Sequence, residues 1–346
     1  MAQTKKILKI LEAHWSKKEA QVDEKVGIEI VIQNAEGRTA VIQIYEYRKK
    51  NRVMKEIKVP VKESKAIASW KVEYVPDIYG EEPPEYRFKV SIGKQFKTSK
   101  TLYLKAEIVN IALTFDDGPH AAEFRNRTEK VLDVLRRKNI KAVFFIQTHA
   151  PLRANTSVGQ KLIQRMVKEG HIVGIHTGSL EDHVDHALRV AQRPVDVDGD
   201  GKVDGRNGLE SDLIRAKALI KKLTEYVPKF VRAPYGRYKA DKEIIPTYRR
   251  QKLIHVLWDI DSLDNVRVEG RKRFPGEVEK ALRDSFRALR FNEAIVLFHD
   301  LNLSTAEKIE DYINAIVKTI AGSKKIPKFT TRTRELRALL ERKGVG

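Results

Sequence analysis

The 346-residue sequence predicts two architectures in one chain: an all-β sandwich over residues 1–108 and a β/α barrel over residues 109–346. Two patterns carry this expectation. Up to Ile108, short runs of Val, Ile and Tyr alternate with polar residues at the period of two that marks a half-buried strand. Beyond Ile108, short apolar runs alternate with amphipathic helical stretches, which implies a parallel sheet with helices outside it. The length suits about two domains, and a 41% hydrophobic content excludes disorder of the whole chain.

In the first part the alternating runs are Ile7–Trp15, Gly27–Gln33, Ala40–Arg48, Val53–Val61, Ala66–Val75, Tyr86–Gly93 and Lys100–Ala106. Turn residues punctuate them at Asn34 to Gly37, at Asn51 and at Gly80 to Pro84. Seven short strands of this kind fit a sandwich of immunoglobulin type. Nothing in this part has catalytic spacing.

In the second part the apolar runs are Ile108–Phe115, Ala142–Gln147, Ile172–His176, Lys229–Ala233, Leu253–Trp258, Ala294–His299 and, more weakly, Pro327–Thr331. Helical patterns fall at Thr128–Lys138, Gly159–Glu169, Leu209–Tyr226, Gly276–Leu289 and Thr305–Ile320. Seven strands suggest a barrel rather than an open sheet. Polar residues collect at the ends of the runs: Asp116 and Asp117 after the first, His176 at the third, Arg232 at the fourth, Trp258, Asp259 and Asp261 at the fifth, His299 and Asp300 at the sixth. The C-terminal strand ends of a β/α barrel share one face, and that face carries active sites. One such histidine would be an ordinary structural residue; five strand ends of this kind predict a reaction centre.

Composition narrows the chemistry. With no cysteine there is no disulfide, no thiolate metal site and no cysteine nucleophile. No apolar run is long enough for a membrane span, and the N-terminus lacks the pattern of a signal peptide. The net charge is +20, split as +7 over residues 1–108 and +13 over the rest. No block of five like charges and no nucleic-acid-binding signature accompanies it, so a generally basic surface is expected and no nucleic acid partner.

The segments TFDDGPH (114–120), GHIVGIHT (170–177), RAPYG (232–236), WDIDS (258–262) and VLFHD (296–300) resemble, in order, the five motifs of the polysaccharide deacetylases, the NodB-homology domain of carbohydrate esterase family 4. The resemblance covers about residues 109–331 and not the N-terminal part. It implies a distorted (β/α)7 barrel and metal-dependent removal of acetyl groups from a sugar polymer such as peptidoglycan or a chitin-like oligomer. By resemblance Asp116 is the general base and Asp117 a ligand of a divalent transition metal, zinc foremost. Adjacent carboxylates on an extended backbone point to opposite sides, which separates the two roles. Arg232 would pair with Asp116, the Tyr235 amide after Pro234 would hold the oxyanion, and His299 would be the general acid with Asp261 aligning it. Trp258, Leu297 and Pro234 would wall the acetyl pocket, with His120 nearby.

The metal motif departs from the family pattern. His176 matches the first histidine, but the position expected for the second is Leu180. His183 is the expected third ligand and His186 its substitute, which leaves open positions for water and substrate. A second metal signal follows: Asp196, Asp198, Asp200, Lys202 and Asp204 occupy positions 1, 3, 5, 7 and 9 of a calcium loop, with Gly201 at 6 and Asn207 at 12 in place of a bidentate Glu. A structural calcium ion in the 196–207 insertion is therefore expected. Two other readings stand beside the deacetylase: an acetyl-ester or small-molecule amide hydrolase on the same scaffold, and a carbohydrate-binding protein whose catalytic site has decayed. The substrate class suggests action outside the cytoplasm, whereas the sequence shows no export signal.

Overall fold

The computed structural model describes residues 7–47, 52–74, 83–121, 126–149, 153–178, 205, 208–239, 242–268 and 270–345. The chain divides into two compact units, one of residues 1–108 with 321–326 and one of 109–320 with 327–346.

The first unit is all-β. Its strands are β1 (Lys9–Trp15), β2 (Glu19–Ala20), β3 (Lys25–Gln33), β4 (Thr39–Glu46), β5 (Arg52–Pro60), β6 (Lys65–Lys71), β7 (Glu85–Ile92), β8 (Gln95–Thr98) and β9 (Leu102–Leu104). They form a three-stranded sheet ordered β1-β3-β6 and a second sheet ordered β2-β9-β7-β4-β5, with β8 also paired to β7. The period-two pattern is the reason. Ile28, Ile30, Ile42, Ile44 and Val90 alternate inward and join one buried core drawn from both sheets. Trp15 meets Phe88 edge-on at 4.8 Å, and Trp70 meets Tyr86 at 5.0 Å. β2 and β8 were illegible in sequence: one has two residues, and the other is exposed along its length and shows no alternation.

The second unit is built on a parallel sheet. Its strands are β10 (Ile108–Asp116), β11 (Val143–Gln147), β12 (Ile172–Thr177), β13 (Phe230–Val231), β14 (Ile254–His255), β15 (Ile260–Asp261) and β18 (Glu293–His299), ordered β14-β13-β12-β11-β10-β18-β15, and β19 (Ile326–Phe329) also pairs with β10. A two-stranded hairpin, β16 (Arg267–Val268) and β17 (Arg271–Lys272), projects between β15 and β18 in sequence. The helices are α1 (Arg127–Arg137), α2 (Ser157–Lys168), α3 (Gly208–Thr224), α4 (Ile244–Arg250), α5 (Pro275–Ala288), α6 (Leu303–Gly322) and α7 (Thr333–Lys343). Among the described residues no helix is long and apolar enough to cross a membrane.

The sheet order requires curvature. The edge strands β14 and β15 are joined by residues 256–259 alone, a reach of at most about 18 Å. Seven flat strands would hold their edges about 29 Å apart. The sheet therefore curls into an open, distorted barrel whose gap lies between β14 and β15. This corrects the sequence reading of Leu253–Trp258 as one strand ending in Trp258, Asp259 and Asp261. That stretch is broken in two, and Asp261 lies on the opposite edge of the sheet, where it pairs beside Leu297 of β18.

Candidate active site

The C-terminal strand ends converge as their polarity predicts. Asp116 ends β10 and is registered beside His299 on β18. His176 and Thr177 end β12, and Arg232 follows β13. A cavity of about 430 Å³ is lined there by Asp116, Asp117, His176, Pro234, Tyr235, Trp258, Asp261, Leu297 and His299. Sequence reasoning did not anticipate Gln147, Thr177, Asn265 and Val266, which complete the wall.

The two carboxylates separate by a turn rather than by strand alternation. Asp116 is in the strand, whereas Asp117 leaves it with φ at 70°, a left-handed conformation in which Asp is tolerated. Gly118 is required next, because a Cβ there would overlap the Asp300 carboxylate. Asp116 is buried, and its Oδ1 accepts from Arg232 Nη1 at 2.9 Å. Arg232 is itself fully buried. It also donates to Thr114 Oγ1 at 2.8 Å, to Val256 O at 2.9 Å and to Leu257 O at 3.1 Å. The last two carbonyls lie in the 256–259 segment at the barrel gap, so one guanidinium both holds Asp116 and hydrogen-bonds the open seam. Its Cζ lies over the Phe145 ring, 4.2 Å from the centroid.

His176 Nδ1 donates to the Arg232 carbonyl at 2.9 Å, which leaves Nε2 facing Asp117 Oδ1 at 3.2 Å. A backbone acceptor that fixes the tautomer is the support that metal-binding imidazoles receive. Burial opposes ionisation of Asp117, but the hydrogen bond and charge of His176, with His299 and Arg153, hold its pKa down at about 2. One carboxylate oxygen and one imidazole nitrogen suit a borderline divalent metal. Among the described residues no third metal-binding side chain joins them. His183 and His186 lie outside the described residues, as do Asp196, Asp198, Asp200, Lys202 and Asp204 of the calcium loop.

The sequence reading assigned alignment of His299 to Asp261. In the structure that carboxylate is Asp264. Asp264 Oδ1 lies 2.8 Å from His299 Nδ1, and its Oδ2 accepts from the His299 amide at 2.8 Å and from Thr305 Oγ1. Asp261 turns back on its own chain, accepting from the Leu263 amide at 2.8 Å, while remaining in the cavity wall. Burial works against the charged imidazole. The Asp264 charge and hydrogen bond, with Asp116 and Asp117, outweigh it and raise the His299 pKa to about 9. The signal available in sequence was a third carboxylate three residues past Asp261; strand register alone could not rank the two.

Tyr235 adopts φ 55° in the turn Pro234–Gly236. Its ring is 82% exposed, and its amide donates to no protein acceptor among the described residues. Leu297 and Pro234 are buried in the wall, with Trp258 half-buried beside them. His120 does not line the cavity: its amide donates to Thr128 Oγ1 at 2.7 Å.

Paired carboxylate, imidazole and guanidinium groups thus gather at one set of strand ends on a β/α barrel scaffold. A family model for polysaccharide deacetylase matches residues 105–248. The chain is 33% identical over 162 residues to a peptidoglycan-N-acetylglucosamine deacetylase of Bacillus cereus, an overlap covering 47% of each protein. It is 30% identical over 191 residues to a chitooligosaccharide deacetylase of a Bradyrhizobium species, covering 55% of this chain and 70% of that one. A solved polysaccharide deacetylase from Bacillus cereus superposes with a TM-score of 0.47 at 20% identity, over 64% of this chain and 90% of that one. The chain thus belongs to the polysaccharide deacetylase family. It spans about half the length of the first of these curated relatives.

Proposed function

We propose that this protein hydrolyses acetyl groups from an acetylated amino-sugar polymer of peptidoglycan or chitin type. The observation that carries the reading is the convergence of Asp116, Asp117, His176 and His299 on one cavity, with Arg232 bound to Asp116 behind it, in a chain of this family. Asp117 and His176 would hold a divalent metal, with His183 as the third ligand that the sequence offers and zinc as the metal that this donor set favours. Such a metal supplies Lewis acidity to the acetyl oxygen and acidifies water there.

The protein groups do the rest. Asp116 Oδ1 is held by Arg232, and Oδ2 has no protein partner among the described residues. Oδ2 therefore takes a proton from the water that attacks the acetyl carbon. The Tyr235 amide donates to the oxygen on which charge develops. With His299 Nδ1 committed to Asp264, Nε2 gives its proton to the sugar nitrogen as the carbon–nitrogen bond breaks, releasing acetate and a free amine. Trp258 and Leu297 form the apolar wall for the acetyl methyl. The N-terminal sheets we read as an immunoglobulin-like accessory module acting as a spacer or protein-docking unit.

The test is acetate release from N-acetylglucosamine oligomers, peptidoglycan glycan strands and acetyl-ester substrates, after chelation and after zinc is restored. Zinc-dependent release from the amino-sugar substrates, abolished in His299→Ala, supports the reading. Release from the esters alone would replace it with an acetyl-esterase, and no release with zinc bound would sink it.

A further inference from the structure

Beside the cavity stands a group of basic side chains that the chemistry above does not use. The hairpin β16–β17 follows directly on Asn265 and Val266, which line the cavity wall. Arg267 and Lys272 are directly opposed across this antiparallel pair. Opposed residues put their side chains on the same face, where like charges destabilise the ladder. Lys272 Nζ reaches over to Asn302 Oδ1 at 2.6 Å, so its ammonium is anchored to the turn that follows His299. Arg127, in the first turn of α1, approaches the same turn and donates to the Leu301 carbonyl. Its Nε is buried without a hydrogen-bond partner among the described residues.

None of the three cations has a carboxylate within ion-pair distance among the described residues. Other basic side chains of this unit do: Arg271 pairs with Glu277, Arg283 with Glu279 and Arg165 with Asp133. The charges feel one another. Burial, Arg127 and Arg267 lower the Lys272 pKa, against an opposing pull from Asp264. Three cations assembled at the rim of a cleft, with no ion-paired carboxylate among the described residues, focus a positive potential there. That arrangement opposes folding locally and is relieved when an anion binds.

We propose that Arg127, Arg267 and Lys272 form a carboxylate-binding subsite at the cavity rim, so that the substrate is an anionic glycan with a carboxylate on the residue flanking the acetylated sugar. This rests on the deacetylase reading above and selects, within it, the acidic polymer over the neutral one. Guanidinium groups bind carboxylates bidentately, and the ammonium adds a point charge. The subsite acts on capture and register of the polymer, while bond cleavage stays with Asp116 and His299.

The experiment compares acetate release from three oligomers of equal length: neutral N-acetylglucosamine, a lactyl-ether-bearing glycan with its carboxylates free, and that same glycan with them methyl-esterified. The zinc-loaded full chain should favour the free carboxylate about tenfold in kcat/KM. The preference should lie mainly in KM and shrink as salt rises. The double variant Arg267→Gln/Lys272→Gln, whose side chains are solvent-exposed, should lose most of that ratio with a melting temperature no lower than the parent's. The control Lys221→Gln/Lys222→Gln, on the outside of α3, should keep it. Equal rates on the free and esterified glycans overturn the subsite. So does an equal loss of preference in the control, which would assign it to overall charge. In either case acetate release itself still upholds the deacetylase reading, whereas no release from any of the three overturns that reading as well.

Discussion

His299 and Asp264 are locked by two contacts from one carboxylate: Oδ1 lies 2.8 Å from the imidazole Nδ1 and Oδ2 accepts from the His299 amide at 2.8 Å. The imidazole is thereby fixed in orientation and charged. For the proton donor proposed above, the direction matters. Asp264 raises the His299 pKa to about 9, so the imidazole stays protonated across neutral pH and loses its proton only as pH climbs through that value. Asp264→Asn removes the raising charge. The alkaline limb of kcat/KM should move down by a unit or more, and kcat at pH 8 should fall by about 10- to 100-fold. A pH–rate profile of the two proteins checks this, and an unshifted limb would sever the link between them.

Arg232 joins Asp116, the proposed base, to the barrel gap. Replacing it with Met leaves Asp116 buried without a counter-charge and two seam carbonyls without a donor. The loss should be about 3–5 kcal/mol, read as a lower urea midpoint of the catalytic unit. Arg232→Lys keeps the charge but cannot reach Thr114, Val256, Leu257 and Asp116 at once, so it should recover only part of the stability. A variant as stable as the parent would mean the seam does not depend on this side chain.

Asp300 is buried beneath Gly118 with Oδ1 unpartnered. Burial pushes its pKa up to about 7, against the pull of Thr128 and Arg153. Because the folded value is raised above the ordinary carboxylate value, the folded state holds the extra proton. The associated stability is fully present at low pH and is lost as pH rises through about 7. Asp300→Asn imitates the protonated carboxyl and should lose none. The melting-temperature difference, variant minus parent, should therefore grow between pH 5 and pH 8. A constant difference would contradict the raised value.

Gly174 lies on β12 with no room for a side chain: a Cβ would stand 2.7 Å from the Phe145 ring, on which Arg232 is stacked. Gly174→Ala should cost about 1–3 kcal/mol by overpacking. It should also lower kcat/KM, because the displaced ring pushes on the guanidinium that orients Asp116. Equilibrium unfolding together with steady-state rates checks both parts.

Metal dependence divides the histidines. Chelation should abolish acetate release and zinc should restore it. His176→Ala should lose zinc outright, since its Nε2 is already turned toward Asp117. His183→Ala should weaken zinc at least about tenfold while His186→Ala leaves it in place. Zinc titration with a competing chelator reads each affinity apart from activity.

Much of this was legible before any coordinates. The change of period near Ile108 marked the switch from half-buried antiparallel strands to buried parallel ones, because side-chain periodicity is a local property of the backbone. The polar residues after the apolar runs marked one face of the barrel, because parallel strands must deliver their C-terminal ends together. That placed Asp116, Asp117, His176, Arg232 and His299 at strand ends, along with Asp259 and Asp300, and the resemblance to the deacetylases singled out the five. The tertiary structure decided the rest. It ended the strand expected over Leu253–Trp258 at His255 and put Asp261 on the opposite edge of the sheet, since hydrogen-bond register, not hydrophobicity, sets where a strand ends. It chose Asp264 over Asp261 for His299, since two carboxylates three residues apart are equivalent until a neighbouring strand is placed. It also opposed Arg267 to Lys272 beside the cavity, a juxtaposition that depends on the turn between them and appears in no periodicity.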